Sequence, residues 1–181
     1  MSRSGMSRQR FLERLAGVLP GGGGYEDRDV RRRTDARFRE HAAASLDGLR
    51  AKIDQLKTAA EEEGEEDLIF DLDRIDERMG RTSSALRAAE ATGAAFLDLE
   101  VIDTNHLERV YAYDLALLED VELLTRDFMA VKYDTIGTLT LRELEGTLAA
   151  IELKVSNRGR CCEIQGAAHE GWPHPRRIDL R

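Results

Sequence analysis

The sequence predicts an all-α protein, an antiparallel helical bundle of three to four helices preceded by a short amphipathic helix. Three observations predict this class. Only three prolines occur in 181 residues, and proline is the residue that most often interrupts a helix. Apolar residues recur at steps of three and four along most of the chain, which is the period of one helix face. No run of 18 apolar residues is present, so no segment is predicted to span a membrane.

Residues 7–19 are predicted to form the amphipathic N-terminal helix. Its apolar positions follow helical spacing, and its arginines lie on the polar side. Pro20 and the glycines at 21–24 end this helix and form a flexible joint. Because so short a helix is unstable alone in water, we expect it to dock on the body or on a membrane. The residues expected to make that contact are Arg8, Phe11, Leu12, Arg14, Leu15, Val18 and Leu19.

Four further helices are predicted, over residues 26–60, 65–91, 104–131 and 140–159. The second carries the clearest coiled-coil heptad seam, with apolar or small residues at alternating steps of four and three. Gly64 supplies the turn before it, and we expect a buried connection over 94–102. The seam consists of Leu68, Leu72, Ile75, Met79, Thr82, Leu86 and Ala89.

The ends and lengths of these helices carry two further predictions. Asn105 with Glu108, and Thr140 with Glu143, have the spacing of a capping box, in which each side chain satisfies a free backbone N–H at a helix start. The last predicted helix covers only about half of the bundle, which leaves an apolar groove open. Since such grooves are seldom left in water, we expect a homo-oligomer.

The domain organisation follows from these elements. Residues 1–24 form the amphipathic helix and joint, residues 25–159 the bundle, and residues 160–181 a flexible tail without periodicity. The tail contains a set of zinc-ligand types, but their spacing matches no common zinc pattern. We therefore predict no metal and no cofactor, and two adjacent cysteines favour a reducing cytoplasm over a disulfide framework. That set is Cys161, Cys162, His169 and His174.

Charge is unevenly distributed along the chain. The net charge is +5 over residues 1–58 and −15 over residues 59–156. The acidic body argues against a nucleic-acid partner. A dense basic cluster suits a phosphate, an acidic peptide or lipid headgroups, but acids interleave with it, so we expect local neutralisation by Glu26, Asp27, Asp29, Asp35 and Glu40. The cluster consists of Arg28, Arg31, Arg32, Arg33 and Arg37, followed by Arg39.

One carboxylate lies on an apolar seam. Asp114 falls between Val110 and Leu117, and a buried carboxylate must be paired or neutral. We predict a buried ion pair with an arginine of a neighbouring helix, and the candidates are Arg33, Arg37 and Arg78. Tyr111 is expected in the core, while His41 and His106 are expected at the surface.

The order of these features resembles an uncharacterised family of bacterial helical proteins. The resemblance covers about residues 8–131 and rests on the amphipathic start, Pro20-Gly21, Gly24-Tyr25, the acid- and arginine-rich helix, and the stretch Tyr111-x-x-Asp114-Leu115-x-Leu117-Leu118. It implies a bacterial cytoplasmic helical fold and no activity. A looser likeness links the mobile N-terminal helix to membrane remodellers of the phage-shock and ESCRT-III type.

The sequence contains no nucleophile elbow, HExxH, phosphate-binding loop, dinucleotide fingerprint or CxxC motif. We therefore predict a non-enzymatic cytoplasmic interaction or scaffold protein with an unknown protein partner. The alternative is a protein at the inner face of the membrane, anchored on anionic lipid by the N-terminal helix. The position of Phe11, Leu15 and Val18 distinguishes the two.

Overall fold

The structure is a computed structural model that describes residues 3–15, 23–88, 97 and 99–161. Six α-helices make up nearly all of this part of the chain, so the predicted all-α class is confirmed. Helix α1 is Arg3–Arg14, α2 is Arg28–Asp47, α3 is Arg50–Glu63, α4 is Glu66–Ala88, α5 is Thr104–Ala130 and α6 is Thr138–Cys161. A single 3-10 turn, Tyr133–Thr135, precedes α6. None of the described helices is long and apolar enough to cross a bilayer.

Four helical columns form the bundle. Helix α2 packs on α4 and α5, and α6 also packs on α4 and α5, whereas α3 continues the α2 column along α4. Two ion pairs show that α4 and α6 run parallel. Arg74 pairs with Glu145 and Arg78 pairs with Glu152, so residue numbers increase in the same direction along both helices. Consecutive helices α4 and α5 lie across the diagonal, with the end of α4 and the start of α5 at the same end of the bundle. We call residues 99–103, which lead into α5, the crossing segment.

The predicted long helix over 26–60 is two helices in the structure. The backbone N–H of Leu49 bonds to the carbonyl of Leu46, three residues back, in place of the usual four. Gly48 stays in the right-handed helical region at this point, so the break is a local tightening and not a turn. The turn predicted at Gly64 is confirmed, since its φ of 74° is the left-handed conformation that favours glycine.

The last helix extends two residues beyond the prediction at each end. It has 24 residues against 23 in α4, so both span roughly 35 Å. The predicted half-covered groove was therefore wrong, because α6 begins at Thr138 and continues through Gly159 to Cys161. A single glycine inside a helix costs only about 1 kcal/mol, which packing readily outweighs.

Both predicted capping boxes were wrong. Asp103, and not Asn105, precedes α5 and accepts a hydrogen bond from the backbone N–H of His106. Thr140 lies inside the first turn of α6. The predicted connection over 94–102 is only partly buried among its described residues, since Leu99 and Ile102 pack against the core while Val101 is exposed. The predicted tail beyond residue 161 lies outside the described residues.

Candidate functional site: a buried arginine–carboxylate network

Arg158 of α6 is the centre of a buried polar network. Its guanidinium donates two parallel hydrogen bonds to Asp114 of α5, from Nε at 2.7 Å and from Nη2 at 2.8 Å. The same Nη2 lies 2.6 Å from Oδ1 of Asp35 in α2. The ring of Phe38 covers one face of the guanidinium, whose central carbon lies 5.2 Å from the ring centroid. One buried cation therefore joins three helices.

A second arginine balances the charge of the network. Arg39 donates from Nε to Oδ2 of Asp35 at 2.8 Å. Its Nη1 donates to the carbonyls of Leu86 and Arg87, each at 3.1 Å, and these belong to the last turn of α4, where carbonyls lack helical partners. Two arginines and two aspartates thus form a neutral cluster that also closes the end of α4.

Two tyrosines extend the network toward the N-terminus. The hydroxyl of Tyr25 donates to Oδ2 of Asp114 at 2.6 Å. The hydroxyl of Tyr111 accepts from the backbone N–H of Tyr25 at 2.6 Å and donates to Oε2 of Glu26 at 2.9 Å. A Cβ on Gly24 would overlap both the Tyr111 hydroxyl and the Glu26 carboxylate. Glycine is therefore required where the joint enters the bundle.

Helix α1 covers the aromatic side of this network. The ring of Phe11 lies 5.6 Å from those of Tyr25 and Phe38 and 5.5 Å from that of Tyr111, centroid to centroid. Phe11 and Leu15 are both fully buried. In this conformation α1 is docked on the body, and the side chains of Phe11 and Leu15 are not available to a membrane.

The polar residues predicted for α1 hold it in place. Arg8 pairs with Glu26, Arg10 pairs with Glu119, and Arg14 pairs with Glu119 and Glu122 of α5. Leu12 is partly buried against the core. Val18 and Leu19, which complete the predicted contact set, lie outside the described residues.

Arg31 connects the network to the crossing segment. It is fully buried and donates from Nε to the carbonyl of Tyr25 at 2.7 Å and from Nη1 to that of Leu99 at 2.8 Å. Burial and the neighbouring charge of Arg28 lower its pKa from the usual value. Arg31 thereby fixes both the joint before α2 and the segment before α5.

The network favours neutral tyrosines and a charged Arg158. Burial and the negative charge of Asp114 raise the pKa of Tyr25 well above its usual value. Burial also raises the pKa of Tyr111. Burial opposes the charge on Arg158, but Asp114 and Asp35 outweigh it and raise the pKa of that guanidinium well above its usual value. All three groups therefore keep one protonation state at neutral pH.

The predicted ion pair of Asp114 has a different partner. Asp114 is completely buried, as expected from the seam, but it pairs with Arg158. Arg33 and Arg37 are exposed, and Arg78 pairs with Glu152. Arg158 was not among the predicted partners, since it lies beside the predicted helix end at Gly159.

The basic cluster divides into buried and exposed members. Arg31 and Arg39 are buried, while Arg28, Arg32, Arg33 and Arg37 are exposed. Of the acids expected to neutralise the cluster, Asp35 does pair locally with Arg39, and also with Arg158. Asp27 instead caps α2, and Glu40 pairs with Arg87. Within the described residues Arg33 and Arg37 form no ion pair, so local neutralisation was the wrong expectation for them.

Sequence reasoning missed two other members of this region. Tyr25 follows a glycine run and shows no periodicity with any helix, so no pattern marked it as buried. His106 was expected at the surface but is 1% exposed; the cap of α5 is Asp103, two residues before the predicted cap Asn105. Tyr111 was correctly predicted in the core.

The arrangement joins three helices and the residues before α2 through ion pairs and hydrogen bonds. Each of its aspartates is held by an arginine, and its hydroxyls are hydrogen-bonded to the network or to Glu26. Among the described residues no group of three or more His, Cys, Asp or Glu side chains is placed to hold a metal ion. No protein-family model, curated protein or solved structure matches this chain.

Proposed function

We propose that this chain is a non-enzymatic helical interaction protein that self-associates and acts as a scaffold in the cytoplasm. The observation that carries the proposal is where the charges are paired. The arginines and aspartates of the buried network pair with one another, whereas exposed charged and apolar side chains remain available at the surface. A network that is closed within the fold leaves the surface to provide the contacts.

The exposed apolar side chains support this proposal. Phe70 of α4 is 67% exposed, Leu153 of α6 is 63% exposed and Met129 of α5 is 57% exposed. Large exposed side chains are common singly, but aromatic residues and methionine are enriched where proteins bind one another. These three lie on three helices, so several sides of the bundle offer contacts.

Sedimentation velocity of the whole chain over a range of concentrations tests the proposal. We expect the weight-average sedimentation coefficient to rise with concentration. Phe70→Ser should weaken association without lowering the thermal midpoint, because the ring is mostly in water. Ile69→Ser, at a partly buried neighbouring position, is the matched control and should lower the midpoint. A monomer at every concentration would remove self-association from the proposal.

The membrane alternative makes a different demand on the same protein. Because Phe11 and Leu15 are buried, α1 would have to leave the core before its apolar face could enter lipid. The alternative predicts that the wild type floats with anionic vesicles, and that Leu15→Asp, which removes an apolar contact with lipid, abolishes this flotation. We expect no flotation of the wild type and a lowered thermal midpoint for Leu15→Asp.

A further inference from the structure

Two oppositely charged surfaces lie at opposite ends of the bundle. Arg33 and Arg37 are one turn apart on the exposed face of α2, which places them on the same side of the helix. The turn between α3 and α4 carries six exposed carboxylates in seven residues, 61–67. From Arg37 to Glu63 the α2–α3 column rises roughly 39 Å. The two surfaces therefore cannot meet within one chain.

The acidic end contains a groove and not only a charged surface. An open groove of about 510 Å³ lies between the start of α4 and the start of α6. Leu68, Ile136 and Leu141 line it together with acidic side chains, which include Glu66 and Asp67. In the described part of the chain neither Glu66 nor Asp67 forms an ion pair. The groove thus combines apolar contact area with free carboxylates.

The basic face has the matching chemistry. An arginine guanidinium pairs with carboxylates through two parallel hydrogen bonds, and its stem packs on apolar surface. Arg33 and Arg37 are exposed members of the basic cluster, and within the described residues neither forms an ion pair. Their charge is free to meet a partner, and the partner it fits is an acidic groove with an apolar lining.

We propose that the Arg33–Arg37 face of one copy docks in the acidic groove of a second copy, so that chains associate head to tail. This inference rests on the proposed self-association and specifies its geometry. Because each chain keeps one free face and one free groove after docking, the contact is heterologous and extends into rows or closes into a ring. The contact is dominated by exposed charges, so salt weakens it.

Two variants, each of which lacks one of the two surfaces, test the geometry. Arg33→Gln with Arg37→Gln removes the basic face and leaves the groove intact, and Glu66→Gln with Asp67→Asn does the reverse. Each variant alone should associate at least about tenfold more weakly than the wild type at low salt. An equimolar mixture has one intact face and one intact groove, so it should give a species of two chains and nothing larger.

The matched control neutralises two other exposed arginines, Arg50→Gln and Arg81→Gln. These lie on α3 and α4 away from both surfaces, remove the same charge, and should leave association unchanged. Circular dichroism and the thermal midpoint of every variant should equal those of the wild type, because all the altered side chains are exposed.

The outcomes separate the two levels of the proposal. A wild type that stays monomeric at low salt overturns both the self-association and this geometry. Association that both neutralised variants retain overturns the head-to-tail geometry and leaves the scaffold function standing. Equal loss in the Arg50/Arg81 control also overturns it, since net charge would then be the cause. Anionic vesicles that bind the wild type but not the Arg33/Arg37 variant, with association unaltered, would assign the arginines to lipid.

Discussion

The two ends of the bundle are built on different principles. At the end where α2 and α5 begin, the core contains charged residues from three helices, held by paired hydrogen bonds. At the end where α4 and α6 begin, the core is apolar, with side chains such as Leu72, Leu124 and Phe128 in contact. Apolar contacts are non-directional, so they stabilise several helix arrangements. The hydrogen bonds between arginine and carboxylate are directional, so they are compatible with few helix arrangements.

This difference suggests what the network does for the fold. Residues 23–27, which lead into α2, and the crossing segment before α5 are both irregular, and neither is held by a helix seam. Arg31 bonds to backbone carbonyls of both, and the hydrogen bond from Tyr25 to Asp114 joins the first of them to α5. We infer that the polar end fixes which helices are neighbours, while the apolar end supplies much of the stabilisation. The predictions below test that division.

The largest expected effect is the loss of Asp114. Asp114→Leu leaves Arg158 with only one of its two carboxylates, and breaking such a buried pair costs about 3–5 kcal/mol. Leu124→Met, a change of similar shape at the apolar end, should cost less than about 1.5 kcal/mol. Urea denaturation measures both free energies of unfolding. Equal costs would show that the two ends do not differ.

Removal of the Phe11 ring should be nearly as costly. Phe11→Ala empties a site between three aromatic rings, and such changes cost about 3–5 kcal/mol. Met6→Ala on the same helix should stay within about 0.5 kcal/mol, because Met6 is 59% exposed. Thermal unfolding compares the two variants. An unchanged midpoint for Phe11→Ala would mean that α1 is not part of the folded core.

Alkaline pH should weaken the polar end selectively. The pKa of Tyr25 is raised in the folded state above the usual value of 10.0, so the unfolded chain loses that proton first. The stabilisation is complete below pH 10 and is lost as pH rises through the folded pKa. Tyr25→Phe should make the alkaline decline of stability shallower by about 1.4 kcal/mol per pH unit. An identical decline in wild type and variant would contradict this role of Tyr25.

The smallest effects should come from substitutions at two glycines, one of which stabilises the fold while the other destabilises it. Gly146→Ala places a Cβ in open space on an exposed helix face and should stabilise by about 0.5–1 kcal/mol. Gly24→Ala forces apart the Tyr111 hydroxyl and Glu26 and should destabilise by about 1–3 kcal/mol. Calorimetry gives both signs. Stabilisation by Gly24→Ala would show that the close approach at the joint is absent.

The apolar end was largely predictable from the sequence, and the polar end was not. The seam from Leu68 to Leu86 follows the heptad period, and Leu72, Ile75, Met79 and Leu86 are buried as that period requires. Periodicity reports which face of a helix is apolar, so it identifies layers of this kind without knowledge of neighbours.

The polar network depends on partners that are distant in sequence. Asp114 was recognisable because a carboxylate on an apolar seam needs a cation, but nothing in the local pattern distinguishes Arg158 from Arg33, Arg37 or Arg78. That choice depends on where α6 ends and on which helices are adjacent. Tyr25 and Arg31 contact irregular backbone, and irregular backbone has no sequence periodicity from which these contacts could be predicted.

A double-mutant cycle between Asp114 and Arg158 tests the central claim most directly. The cycle uses Asp114→Ala and Arg158→Met, with the exposed pair Arg87→Ala and Glu40→Ala as the reference cycle. We predict a coupling free energy above about 2 kcal/mol for the buried pair and a smaller one for the reference pair, because water screens exposed charges. Coupling of Asp114 and Arg158 no greater than that of the reference pair would contradict the account.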